Sequence, residues 1–388
     1  MRWLMATESP WPLAHGVALR VWHFARKLTE GGDQVTLLTP KVGQDCLGAY
    51  RSIGVSLLQA AVDGPVKRPG RWSMRAYSFT SVVAKALTDN AGKFDVTVLV
   101  NVTMLQYASY VAACPVVVAD IIDDPVLAVR RSKRGGRLLR TARKMRRLVE
   151  LRLYERRFLP LVTVASLVTE QDAASFRGRN KGTHVIVSPN GVDLEWYAPA
   201  PNAAHDADVE PIVIFVGNMS FAPNHAAAKF LIQEIATIVW RDHPVVRFQL
   251  VGPDVPDDVR QLAGPRVEVI GWVEDIRPYL ARASVVTVPM LTGTGVKNKL
   301  MEAWASAKAV VATPLACQGL PAQHGQNIMV GRGAKELAAC IVDLIGHNQL
   351  RRSIETEARR SIEQGYSWTA TVAQFRQAVL AAQGPRGD

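Results

Sequence analysis

The run Pro289-Met290-Leu291-Thr292-Gly293-Thr294-Gly295-Val296-Lys297-Asn298-Lys299-Leu300-Met301-Glu302-Ala303-Trp304-Ala305 gathers glycines, lysines and one acid in a short span. Glycines let a backbone approach a phosphate closely. Lys297 and Lys299 bring positive charge to the point where Leu300, Met301, Ala303, Trp304 and Ala307 take up helical spacing. Amides at a helix N-terminus favour anions, so the chemistry on offer is the binding of a diphosphate. Glu302 lies one to two turns into that helix. An acid there is poorly suited to phosphate but can accept hydrogen bonds from ribose hydroxyls. These residues describe a nucleoside-diphosphate site. They also describe an ordinary strand-to-helix turn with solvated lysines, and this stretch alone does not separate the two.

Elements on either side must hold that loop. Val285 to Pro289 reads as a buried parallel strand and Ala309 to Ala312 as the next one, so the loop closes a βαβ unit. Open α/β sheets bind ligands at such strand ends. The chain opens with another such unit: strand Arg2 to Ala6, a loop ending His15-Gly16, a helix from Val17 stopped at Gly31-Gly32, and strand Val35 to Leu38. No G-x-G-x-x-G follows the first strand, so the dinucleotide fingerprint is absent. Further strands are read at Val55 to Ala60, Val96 to Val100, Pro115 to Ala119, Val162 to Val168 and Val185 to Val187. The one ending at Ala119 runs into an acidic turn, Asp120-Ile121-Ile122-Asp123-Asp124. The stretch 198–211, with three prolines and no apolar period, reads as a linker. The alternation then restarts: strand Ile212 to Val216 with Gly217-Asn218 after it, helix Ala226 to Val239, strands Val246 to Val251 and Val267 to Ile270, then Gly271-Trp272 and a helix capped by Asp275. Helices Ala334 to Ile345 and Leu350 to Ile362 and a last one through Leu380 complete the chain. The expected organisation is α/β, with an N-terminal domain over 1–197, the linker, a second domain over 212–365 and a final helical segment over 366–388.

The 388 residues suffice for two cores. Cys46, Cys114, Cys317 and Cys340 have no close spacing, which argues against a metal knuckle or disulfide framework and fits a reducing compartment. The first residues lack a signal-peptide pattern, and no apolar run approaches a membrane span, so a cytoplasmic protein is expected. The net charge of +12 is concentrated: residues 130–157 hold 13 Lys and Arg against Glu150 and Glu155. Apolar residues are interleaved there at mostly helical spacing, after a Gly135-Gly136 break. Such a helix can lie on anionic lipid headgroups, with Arg140, Arg143, Lys144, Arg146 and Arg147 as contacts. It can also be a solvated helix, or bind nucleic acid. Only Tyr154 and Phe158 could stack bases, so nucleic acid is not the expected partner.

Several pieces in order resemble one family: Gly16 with its helix, Ser188-Pro189-Asn190-Gly191-Val192-Asp193, Phe215-Val216-Gly217-Asn218-Met219 with Pro223-Asn224, Gly271-Trp272-Val273-Glu274-Asp275-Ile276, Gly295 to Ala305, and Val310-Val311-Ala312-Thr313-Pro314. Over nearly its whole length the chain resembles GT-B glycosyltransferases of the group 1, retaining type, and among them exopolysaccharide-cluster sugar transferases. The resemblance implies two Rossmann-like domains facing a cleft, with the C-terminal helix crossing back to the first. It implies a nucleotide-sugar donor in the second domain and the acceptor on the first, here a lipid-linked glycan at the inner leaflet. Glu302 matches the acid that binds the donor ribose. Lys297, Asn298 and Lys299 fall beside the diphosphate, Gly16 on the loop that closes over it, and Gly217, Asn218, Trp272, Thr294 and Gly295 around it. Asp120 and His15 fall near the expected reaction centre. No metal or other cofactor is expected.

Two departures stand out. Many relatives carry an acid eight positions before the ribose acid, where this chain has Thr294. Many also place Arg and Lys after the strand that Gly217 ends, where this chain has Asn218 and no lysine before Lys229. Other reactions on this fold, a nucleotide-sugar epimerase or a glycan phosphorylase, remain alternatives. A phosphorylase would need a lysine-held pyridoxal phosphate site, which the sequence does not show.

Overall fold

The computed structural model describes residues 1–8, 10, 16–40, 43–60, 80–131, 138–199 and 210–382, with 138–140 described by backbone alone. His15, the Gly135-Gly136 break, the Arg140 side chain and most of the expected linker lie outside what is described. The chain divides into two compact units, Met1–Asn190 with Trp368–Asp388, and Gly191–Ser367.

The first unit runs β1 (Arg2–Ala6), α1 (Gly16–Glu30), β2 (Gln34–Pro40), α2 (Gln44–Ser52), β3 (Ser56–Ala60), α3 (Ser81–Asn90), β4 (Val96–Val100), a 3-10 stretch Val102–Tyr110, β5 (Val116–Ile122), α4 (Pro125–Arg131), α5 (Leu138–Phe158), β6 (Val164–Leu167), α6 (Glu170–Arg179) and β7 (Val185–Val187). Its strands form one parallel sheet in the order β3-β2-β1-β4-β5-β6-β7. The central strands are buried on both faces, which is why Trp3-Leu4-Met5-Ala6 and Val96 to Val100 carry no polar-apolar alternation. Gly31 and Gly32 end α1 as expected: the Gly31 amide donates to Lys27 O, and Gly32 sits at φ +85°.

One local reading changes. The fifth strand does not stop before Asp120 but continues to Ile122, where the register shifts and Ile122 takes φ +70°. The acidic residue at 120 is therefore a strand residue beside a bulge, not a turn residue. In the basic segment the helix expected after position 136 is α5, and it is anchored along one side. Leu151 and Tyr154 are buried, and the Tyr154 hydroxyl donates to Val102 O while accepting from the Gln106 amide. Glu155, also buried, accepts from Arg179 at 2.8 Å, and Arg179 in turn reaches Asp124. Burying that ion pair is tolerable because each charge is paired and hydrogen-bonded.

The second unit runs β8 (Ile212–Val216), α7 (Ala222–Phe230), a π turn Leu231–Ile235, α8 (Ala236–Asp242), β9 (Arg247–Val251), α9 (Asp257–Arg260), β10 (Val267–Gly271), α10 (Arg277–Arg282), β11 (Val285–Val288), α11 (Asn298–Ala305), β12 (Val310–Ala312), β13 (Met329–Val330), α12 (Ala334–Gly346) and α13 (Asn348–Glu363). The sheet is parallel, in the order β10-β9-β8-β11-β12-β13. The α7 helix begins four residues before the expected Ala226, with Pro223 in its first turn, where a missing N–H costs nothing. Residues 191–197, read from sequence as part of the first domain, belong to this unit. The Val192 amide donates to Tyr366 O at 2.8 Å, and Arg359 reaches Leu194 O.

The last helix, α14 (Trp368–Ala381), is part of the first unit. Trp368 stacks on His23 of α1 with ring centroids 4.6 Å apart, and Phe375 meets Phe24 edge-on at 4.9 Å. Arg376 pairs with Asp33 at 2.6 Å, beside the terminal ammonium. Truncating Phe375, which is 1 % exposed, removes a large buried ring. Phe375→Ala should lower the first unit's stability by about 3–5 kcal/mol, read as a shifted urea midpoint. An unchanged midpoint would show that α14 is not needed by this core.

Candidate functional site

In the second unit the strand order reverses between β8 and β11, and a crevice forms at such a point beyond the carboxyl ends of the strands. Gly217 leaves β8 there, and the loop from Pro289 to Lys297 leaves β11. The backbones around Gly217 are in close contact. A side chain on Gly252, which sits at φ +142°, would come within 2.0 Å of Gly217 O, and one on Gly217 itself within 2.6 Å of the Lys299 ammonium. Glycine at both positions lets loop, strand end and lysine converge.

Lys299 is the charged centre of this crevice. It stands in the first turn of α11, donates to Asn224 Oδ1 at 2.8 Å and lies 4.3 Å from the centre of the Phe215 ring. Asn224 is held in turn by a bond to Asn218 O. Burial pushes the lysine pKa down to about 7. Glu302 follows one turn later on the same helix. Burial pushes its carboxyl up to about 7, against the pull of Lys299. No described residue donates a hydrogen bond to that carboxylate, so its acceptor capacity is available to a ligand.

Lys297 has a different role from its neighbour. Its ammonium folds back on its own loop, donating to Thr294 O at 2.6 Å and Gly295 O at 2.7 Å. It shapes the loop, with Gly295 at φ +69°, and Lys299 is left as the lysine beside Gly217. Thr294 and Asn298 lie on either side of this tie. Asn218 occupies a turn of its own. Its amide donates to Asp254, and its oxygen accepts from the Ser220 amide and hydroxyl. Lys229, the next basic residue, is committed to Asp258 at 2.8 Å. Trp272 follows Gly271 at the end of β10 and is 68 % exposed, a flat apolar face at the edge of the same sheet end. Gly252 N donates to Gly271 O, joining the loops after β9 and β10.

Sequence reasoning missed two residues here. Asn224 was only a matching motif position, and nothing in the sequence pairs it with Lys299. Tyr197 stood in a stretch assigned to the other domain. Burial and the Glu302 charge both raise its hydroxyl pKa, so it lies in the field of that acid.

The remaining candidates belong to the first unit. Gly16 begins α1 and is exposed. Asp120 is buried, and both its oxygens accept from Arg20, at 2.8 and 3.0 Å. Arg20 also donates to Ser188 Oγ, Pro189 O and Asn190 Oδ1. A carboxylate clasped in this way holds α1, β5 and the 188–190 turn together. Of the basic candidates on α5, Arg143 and Arg146 are exposed, Arg147 is half-buried, and Lys144 donates to Arg130 O.

The raised carboxyl gives a stability signature. An acid whose folded pKa lies above its unfolded value stabilises the fold below the unfolded pKa, and that contribution is lost as pH rises through about 7. Glu302→Gln has no such loss. Its melting temperature should match the parent near pH 4.5 and exceed it by a few degrees at pH 8. Equal melting at pH 8 would show a fully solvated carboxylate.

Residues 210–347 match the family model "Glycosyl transferases group 1". No curated protein matches the chain. Among solved structures, Anabaena Alr3699/HepE in complex with UDP and glucose is similar at 16% identity, with 98% of this chain and 100% of that one covered and a TM-score of 0.73. Sucrose-phosphate synthase from Thermosynechococcus elongatus is similar at 16% identity, 98% coverage of both chains and a TM-score of 0.75. WaaG, a glycosyltransferase involved in lipopolysaccharide biosynthesis, is similar at 14% identity, 98% and 100% coverage and a TM-score of 0.67. Residues 210–347 thus match the glycosyl transferases group 1 family, and the chain has the GT-B fold of these structures.

Proposed function

We propose that the protein transfers a sugar, with retention, from a nucleoside-diphosphate donor to a membrane-associated, lipid-linked glycan acceptor in cell-surface or exopolysaccharide synthesis. The observation that carries the donor half is the convergence of Lys299, Gly217 and Asn224 one helical turn from a carboxylate with open acceptor capacity. Lys299 and the N-terminus of α11 supply positive charge for the diphosphate, Glu302 receives ribose hydroxyls, and Trp272 offers a face for the base. In the reaction the bond between the anomeric carbon and the β-phosphate oxygen breaks, and its electron pair stays on the diphosphate. The acceptor oxygen bonds to the anomeric carbon, and its proton leaves to the departing phosphate or to water. Lys299 meets the charge that develops on the leaving group, the work expected of a fixed cation in a water-poor crevice, and no metal is assigned a part. HepE holds UDP and glucose, so UDP is the first diphosphate to test.

The site requires Lys299 protonated and Glu302 ionised, and both titrate near 7. UDP affinity, measured calorimetrically, should peak near neutral pH and fall on both sides. Lys299→Met should remove the alkaline fall and Glu302→Gln the acid fall, each with at least about tenfold weaker binding at pH 7. Trp272→Ala should cost about 1–3 kcal/mol with little pH dependence. A flat profile in the parent would remove this pair from the site. Turnover of a sugar nucleotide should persist in chelator and keep the donor's anomeric configuration by NMR.

The acceptor half rests on α5, whose exposed arginines complement anionic headgroups. Binding to vesicles should need anionic lipid, weaken with salt and be lost on neutralising Arg143, Lys144, Arg146 and Arg147. Equal binding to neutral vesicles would count against it.

A further inference from the structure

Three large apolar side chains on α5 point away from the core: Met145 is 56 % exposed, Val149 55 % and Leu153 45 %. They stand four residues apart, so they form one row along the helix. The opposite side carries the buried Leu151, Tyr154 and Glu155. A row so placed is not left over from the core; it is held outward by the anchored side.

The charges around the row are arranged to match. At about 100° per residue, Arg146 and Arg157 fall on one flank, Arg152 on the other, and Arg156 continues the line of the row beyond Leu153. The two acids of the segment are neutralised internally, Glu150 by Arg146 at 3.1 Å and Glu155 by the buried Arg179. An apolar line flanked by arginines is the pattern of a helix lying in the headgroup region, with its apolar side below and its guanidinium groups at the phosphates.

We propose that the Met145-Val149-Leu153 row enters the acyl region of an anionic membrane, so that attachment has a hydrophobic part that salt does not screen. This rests on the membrane reading of α5 above but differs from it. Headgroup adsorption needs only the arginines, whereas insertion needs the row.

The test uses the full chain and vesicles of phosphatidylcholine with about 30 % phosphatidylglycerol, against pure phosphatidylcholine. Salt is raised from about 0.1 M to 1 M, where screening leaves only ~3 Å of range. The parent should lose part of its binding and retain a remainder at high salt. The triple variant Met145→Ser, Val149→Ser, Leu153→Ser should bind roughly tenfold more weakly at low salt and lose the high-salt remainder. These side chains are exposed, so an unchanged melting temperature should confirm its fold. Leu153→Cys carrying an environment-sensitive dye should shift to the blue on vesicles and be quenched by spin labels in the acyl chains. The same dye at Lys85→Cys, whose side chain is 76 % exposed on α3, should do neither. Parent-like binding by the serine variant, with the Leu153 dye still in water, would overturn insertion and leave headgroup docking standing. Failure of the parent to bind any vesicle would overturn the docking reading itself, and insertion with it.

Discussion

A lysine ammonium held against an aromatic ring and one amide oxygen is the constraint on which the second unit's site depends. Lys299 can reach its place only because position 217 has no side chain. Its charge is kept out of bulk water, which weakens it in the empty site and strengthens whatever anion it meets. Glu302 faces the complementary situation one turn away. Two opposite charges, each destabilised by burial, stand one turn apart, and in the proposed donor complex a phosphate would relieve one and hydroxyls the other. Residues that serve binding at the expense of the empty fold are expected where function is concentrated.

The two lysines of the loop show how one charge is freed by another's confinement. Lys297 ties down the carbonyls of Thr294 and Gly295, so the loop keeps its shape without help from the diphosphate. Asn218 likewise organises its own turn. Where relatives place an arginine and a lysine after that strand, this chain uses an asparagine that positions backbone and Asn224, and leaves the charge to Lys299. The main-chain oxygen of Asn218 holds the Asn224 amide, and the Asn224 oxygen accepts from the Lys299 ammonium.

Much of the fold was legible because its signals are local. Buried parallel strands such as Val96 to Val100 and Val285 to Val288 read as apolar runs, and Gly31-Gly32 marked a helix end without tertiary help. What escaped depends on distant partners. Asp120 read as a turn acid because its strand appeared to end at Ala119, and only Arg20, a hundred residues earlier, explains an acid buried inside the sheet. The 191–197 stretch read as first-domain because sequence order suggests it, whereas its bonds go to Tyr366 and Arg359. At the site, the lysines and Glu302 were visible as types and spacing. That Lys297 turns back on its own loop while Lys299 reaches Asn224 was not, since both look alike until their oxygen partners are known. The Met145-Val149-Leu153 row could be counted in the sequence, but which side of α5 faces outward is decided by Tyr154 and Glu155 and their contacts on the other helices.

The return of α14 to the first unit has a consequence for synthesis. The core around Phe24 is closed by Trp368 and Phe375, which are synthesised after the whole of the second unit. The second unit, Gly191–Ser367, is complete in sequence before that closing helix emerges. Domains fold as units during translation, so the half begun later can finish first. The first half waits with an apolar seam exposed until that helix emerges.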